Sequence, residues 1–213
     1  ESIGAIPPSA VFISLATIAT APTATVAAGI GDLLANPVAL RDWKLASVHG
    51  LAEIDQPAWD MSAQSYELIS GDLDRPIAEL AADAAFIRRL SDALILSGTA
   101  MIEAGTSRPA SGGEHEISHA IDHLYGGRAM HGAQVAFATV ISLALYGEDT
   151  ERFRRTLAGL GLPTEPADLG FDADDLVQVL LEAPNTRPGR FTIIEEANLE
   201  ADSARRLIND IWP

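Results

Sequence analysis

Behind Pro7-Pro8, the run Val11-Phe12-Ile13-Ser14-Leu15 is short, apolar and rich in β-formers, and it reads as a strand. Beyond Pro22 the apolar positions change period to three- and four-residue steps, so the rest of the chain predicts helices. Two of them cover Val26 to Asn36 and Val38 to about Val48, and a third, opened by Pro57, covers Trp59 to Ile69. A long helix follows Asp74-Arg75-Pro76, where Leu80, Ala84, Ile87, Leu90, Leu94 and Met101 mark one buried face. The stretch from Ser107 to Gly113 breaks it. Helices restart at Ser111–Gly113, near His131 and at Asp149, and Pro163 and Pro166 mark a turn. Asp172 to Glu182 is helical again, and the last helix runs from Asn198, an expected N-cap, to Ile211. The fold class is all-α with one short entrance strand.

Composition narrows the choice of partner. The chain has 213 residues and a formal charge of −16, so general electrostatics will not hold a nucleic acid or an anionic membrane. The most apolar early stretch, Ala10 to Ile30, contains Pro22 and several threonines and makes a poor membrane span. The start lacks the basic region of a signal peptide. It is Glu1-Ser2-Ile3 and not methionine, which reads as a processed chain or a piece of a longer one. With no cysteine, disulfides, thiolate metal sites and thiol nucleophiles are excluded. Any metal has to be held by carboxylate and imidazole.

The chemistry gathers at the histidines. Of five, His115, His119, His123 and His131 fall within 17 residues, leaving only His49 elsewhere. Ser111-Gly112-Gly113-Glu114 has the form of a capping box, so a helix should begin there. His115, His119 and His123 then share one face at four-residue steps. A glycine-containing loop follows and His131-Gly132 opens the next helix, so His115 and His131 can converge from adjoining helices as a divalent metal site. His115-Glu116-Ile117-Ser118-His119 also fits the zinc-protease pattern, with Glu116 as base. Against that reading, Asp122 and Tyr125 stand where the extended protease motif needs Gly and His. In addition, one strand gives no edge to hold a peptide, and Glu116 lies on a first helical turn.

The segment from Ser107 to Asp122, followed by His131-Gly132, resembles the sn-glycerol-1-phosphate dehydrogenase family. That family lies within the group of iron-containing alcohol dehydrogenases, glycerol dehydrogenases and dehydroquinate synthases. Ala28-Gly29-Ile30-Gly31-Asp32, Asp42-Trp43-Lys44-Leu45-Ala46, Leu96-Ser97-Gly98 and the segment from Thr186 to Ile193 extend the likeness along nearly the whole chain. The resemblance implies the helical metal-binding C-terminal domain of a dehydroquinate synthase-like enzyme, over residues 26–213. Residues 1–25 would be an entrance strand and connection from an N-terminal domain that binds NAD(H) or NADP(H). Carried over by motif, Asp32, His115 and His131 are the metal ligands, for zinc foremost or for iron, nickel or manganese. His119 is then a catalytic group near the substrate oxygen, as proton relay or orienting residue. No residue here is expected to bind the nucleotide.

The implied activity is metal-assisted hydride transfer between dihydroxyacetone phosphate and sn-glycerol 1-phosphate. Arg108, Arg187 and Arg190 are the candidates for gripping the phosphate. The resemblance further implies a cytoplasmic enzyme with a small phosphorylated substrate and room for a homo-oligomer. Two departures bear on substrate identity. Ala133 follows His131-Gly132 where the family commonly has Glu, and Ser14 and Ala16 stand where acidic residues are common. A glycerol or other alcohol dehydrogenase of the same group, or a non-catalytic helical metal-binding module, are the alternatives.

Overall fold

The computed structural model describes residues 7–213 as a helical assembly. Its helices are α1 (Leu15–Ile18), α2 (Thr23–Leu33), α3 (Asn36–Val48), α4 (Gln56–Ser70), α5 (Ile77–Ala82), α6 (Ala84–Ala104) and α7 (Gly113–Tyr125). They continue as α8 (His131–Leu145), α9 (Glu151–Gly159), α10 (Ala173–Glu182), α11 (Ile193–Ala197) and α12 (Ala201–Ile211). Short 3-10 turns cover Pro166–Leu169 and Ala183–Thr186. Pro37, Pro57 and the left-handed glycines Gly105 and Gly126 set several of the boundaries, as their backbone preferences demand.

Helix α8 forms the axis. Every residue from Gly132 to Ser142 is buried, so this helix is apolar all round rather than amphipathic. Helices α2 and α7 pack along it, and α4 pairs with α6 as the neighbouring layer. Ile30, Leu33, Phe86, Ile117, Ile121, Phe137 and Ile141 fill the space between them. Each such side chain contributes about 1.5–3 kcal/mol by leaving water. Trp212 closes the far end, stacked 5.2 Å from Phe137. The stretch Thr23–Val48 is long and apolar enough to cross a membrane by length and composition, but 67% of its most apolar window is buried inside the fold.

Four local expectations are corrected. No strand occurs among the described residues: Val11, Phe12 and Ile13 are 56%, 95% and 38% exposed, and Ser14 instead caps α1. Apolar β-formers need a partner strand for their backbone groups, and none lies beside them here. Residues 1–6 of the expected entrance segment lie outside the described residues. The single long helix after Pro76 is two, because Asp83 turns extended and caps α6 through Ala85 N–H and Phe86 N–H. Asn198 ends α11 in the left-handed region, at φ 43°, and Glu200 caps α12. Ser111 does not cap α7, whose N-cap is Gly112. Its first amides are taken by carboxylates, Glu114 Oε1 accepting from Gly112 N–H and Asp42 Oδ2 from Gly113 N–H.

Candidate metal centre

Helices α2 and α8 cross backbone to backbone. A Cβ on Gly132 would stand 1.9 Å from the Ala28 carbonyl oxygen, and one on Gly31 would stand 2.4 Å from that of Gly132. Only glycine on both sides permits this approach. The residue beside each glycine is a candidate ligand, Asp32 in one helix and His131 in the other. The third, His115, lies on the first turn of α7. Gln134 fixes α7 relative to α8: its Oε1 accepts from Arg128 N–H at 2.6 Å and Ala129 N–H at 3.1 Å, while its Nε2 donates to Asp122 Oδ1 at 2.9 Å.

The three residues converge. One ligand atom from each of Asp32, His115 and His131 lies within 4.8 Å of the other two. His115 Nε2 is 3.5 Å and His131 Nε2 3.8 Å from Asp32 Oδ1. Ligand atoms about 2.0–2.2 Å from a tetrahedral ion stand roughly 3.4 Å apart, so the set is close to coordinating distance. Asp32 Oδ1 is buried without a hydrogen-bond partner, as an oxygen reserved for a cation should be. One carboxylate and two imidazoles suit a divalent first-row metal, and as three protein ligands they leave positions open.

The charges around this point are strongly coupled. Burial pushes the Asp32 carboxyl up, but the nearby His115 imidazole and the charge of His131 hold it below its ordinary value. Burial opposes charging of His115 too, yet the Asp32 and Glu114 carboxylates beside it raise it to about 9. His119 goes the other way, down to about 4, through burial and the charges of Arg187, His115 and His131. Burial and His115 also lower His131.

A cavity of about 240 Å³ opens over the centre, lined on one side by Asp32, His115, His119, His131 and Arg187 and on the other by Leu94 and Met101 of α6. The His119 ring lies 6.4 Å from that of His115 and 6.3 Å from that of His131, facing the cavity but outside the ligand trio. Arg187 reaches the cavity with its Nη1 donating to Ser107 Oγ at 3.0 Å and Ser111 Oγ at 2.8 Å. The structure places Arg108 and Arg190 outside the cavity lining, as braces: Arg108 donates to the Phe191 carbonyl at 3.2 Å, and Arg190 donates to Ser107 and to the Ser111 carbonyl. His123 is an exposed partner of Glu182. Glu116 is buried away from the cavity, where its Oε2 accepts from Thr192 Oγ1 at 2.8 Å. The protease reading thus lacks its base as well as its strand.

Two buried carboxylates stand behind this centre, Asp42 with no role expected from the sequence and Glu114 expected only as the acid of a capping box. Asp42, 1% exposed, accepts from Gly113 N–H at 2.7 Å, Ile193 N–H at 2.8 Å and Tyr146 OH at 2.5 Å, and so ties α3 to the starts of α7 and α11. Burial and the Glu114 charge push its carboxyl up to about 7. The signal was an acid inside the apolar pattern Val38-Ala39-Leu40-Arg41-Asp42-Trp43. Glu114 is fully buried beside His115.

No protein-family model matches the chain. Its backbone does match a solved structure, a probable glycerol dehydrogenase from Sinorhizobium meliloti 1021, with a TM-score of 0.71 over 92% of this chain and 57% of that one. At 21% identity the match establishes the fold: an all-α domain of the glycerol dehydrogenase type. The sequence relatives are more particular. Proteins named glycerol-1-phosphate dehydrogenase [NAD(P)+] are 38% identical over 213 residues in Methanoculleus marisnigri, 39% over 205 in Pyrococcus horikoshii and 36% over 212 in Hyperthermus butylicus. The matches cover 99%, 96% and 97% of this chain but 58% of each relative. The resemblance first read at the histidines is thus a homology along nearly all of the chain, which spans somewhat over half the length of those relatives.

Proposed function

We propose that this chain is the metal-binding catalytic part of an NAD(P)-dependent dehydrogenase that interconverts dihydroxyacetone phosphate and sn-glycerol 1-phosphate. The observation that carries the reading is the convergence of Asp32, His115 and His131 beside a cavity that Arg187 enters, in a chain homologous to proteins of that name. The nucleotide is assigned to a domain joined through residues 1–25, in keeping with the greater length of the relatives. The enzyme is further assigned to the cytoplasm.

A divalent ion held by Asp32, His115 and His131 would supply Lewis acidity, polarising the ketone and stabilising the alkoxide. The residues of the chain then divide the remaining work. His119, held neutral by its surroundings, is a poor source of a full proton at neutral pH. From the cavity wall it can orient the substrate oxygen by a neutral hydrogen bond or pass a proton along it. Arg187 offers a planar cation that the two serines hold in place, which suits a phosphate oxygen. In a protein of charge −16 such a local cation has to do the attracting.

Reduction of dihydroxyacetone phosphate by the full-length gene product, with NADH and NADPH in turn, tests the reading. Activity should vanish with a chelator and return with metal. Arg187→Ala should lower kcat/KM for dihydroxyacetone phosphate by about 10- to 100-fold, the worth of a charged hydrogen bond. It should leave unphosphorylated dihydroxyacetone nearly unaffected, and Arg108→Ala should discriminate far less. An equal loss on both ketones in Arg187→Ala removes the phosphate role. Preference for unphosphorylated substrates would move the assignment to a glycerol or other alcohol dehydrogenase, the direction in which Ala133 points.

A further inference from the structure

We propose that Glu114 is the positioning residue of the metal centre: its buried carboxylate accepts the Nδ1 proton of His115 and leaves Nε2 as the ring atom that binds the ion. The inference rests on the metal reading above. Neighbours in a helix ordinarily point apart around the axis. Here α7 begins only at Gly113, and the Glu114 side chain folds back over the helix end. Its Oε1 lies 2.9 Å from His115 Nδ1 and 2.6 Å from the Gly112 amide nitrogen. Oε1 already accepts from the Gly112 N–H and stands as acceptor toward the ring as well, so the ring proton sits on Nδ1. Nε2 then faces Asp32 Oδ1 at 3.5 Å, inside the ligand cluster.

Capping alone does not account for this side chain. Glu114 is fully buried, and its second oxygen, Oε2, has no hydrogen-bond partner. A neutral acceptor would cap Gly112 without the cost of a buried charge. A carboxylate is worth that cost where it faces a cationic imidazole–metal unit, whose basicity and orientation it sets. The chain also clears space for it. A Cβ on Gly112 would stand 2.9 Å from Glu114 Oε2 and 2.3 Å from Asp42 Oδ2, so the glycine leaves room for two carboxylates behind the ligand helix. His131 has no equivalent: its side chain is 49% exposed, and Asp32 is its carboxylate within 4 Å among the described residues. His115 is therefore the fixed arm of the site and His131 the adjustable one.

Zinc and cobalt(II) titrations against a chromophoric chelator, on wild type, Asp32→Ala, Glu114→Gln and Glu114→Ala, test the proposal. Wild type should take up about one ion, and Asp32→Ala should lose it. Glu114→Gln should bind about tenfold more weakly and Glu114→Ala up to about 100-fold more weakly, with unchanged helical circular dichroism and shifted cobalt bands. In zinc-loaded wild type, nitrogen NMR should place the metal on His115 Nε2 and a hydrogen-bonded proton on Nδ1, with that proton signal lost in Glu114→Ala. Wild-type affinity and an unchanged cobalt spectrum in Glu114→Gln overturn the proposal while leaving the metal reading intact. Absence of uptake by wild type, with Asp32→Ala indistinguishable from it, removes both. Should Glu114→Ala fail to fold, Glu114→Gln decides, since it keeps the size and one acceptor oxygen.

Discussion

Residue by residue, the site is governed by what burial does to charge. Glu116 is the clearest instance outside the ligand trio: burial and the Glu195 charge raise it to about 8, against the opposing effects of Thr192 and Arg190. A carboxyl raised in the folded state contributes stability that is complete below its unfolded value, near 4.5, and lost as pH rises through about 8. Glu116→Gln removes the ionisation. Its unfolding free energy relative to wild type should therefore rise from pH 4.5 to 8 and level off above, as urea titrations across that range would show. A pH-independent difference would refute the assignment. At this scale the sequence was partly legible. The convergence of His115 and His131 was legible because helical periodicity and a glycine loop are local signals. The separation of Arg187 from Arg108 and Arg190 was not legible, since three arginines in similar loops are told apart only by which carbonyls and serines the folded chain puts beside them.

Among the elements, the crossing of α2 and α8 matters most. The Gly132→Ala methyl would collide with the Ala28 carbonyl, which is backbone and has little freedom to yield. Overpacking of this kind costs about 1–3 kcal/mol or more, so the variant should melt lower and bind zinc more weakly. Wild-type affinity in that variant would show that the crossing does not set the ligand spacing. Glycine and proline wrote several helix ends into the sequence, and those of α3, α6 and α7 were read to within a few residues. The break at Asp83 carried no such mark, because Ala82-Asp83-Ala84 is locally a fair helix and only the cap geometry reveals the end. Val11 to Leu15 failed for the opposite reason: its β-preference is local, while a strand exists only through a partner.

For the whole molecule, an ion at the proposed centre would act as a clasp. The proposed ligands stand at positions 32, 115 and 131, so binding would join α2 to the α7–α8 pair across about a hundred residues of chain. Binding to the folded state alone stabilises by about 4 kcal/mol at a thousandfold excess over Kd. At about 2–4 °C per kcal/mol for a chain of this size, the melting temperature should rise roughly 10 °C. Scanning calorimetry with graded zinc measures this, and a zinc-independent melting temperature would mean that the three helices do not share an ion. The all-α class and the homology were readable along the sequence, because both are spread over nearly every segment. The hub at Asp42 was not, because its partners Gly113, Tyr146 and Ile193 lie about 70 to 150 residues away.

The glycine seam has one more implication. Gly31 precedes Asp32 and Gly132 follows His131, so on each helix the residue that fixes the gap and the residue proposed to hold the ion are covalent neighbours. Neither can drift without carrying the other. A bound cobalt ion would therefore serve as a ruler for this interior. Its spectrum should respond to any remote substitution or partner that shifts the two helices by a few tenths of an ångström, well before the fold shows other damage.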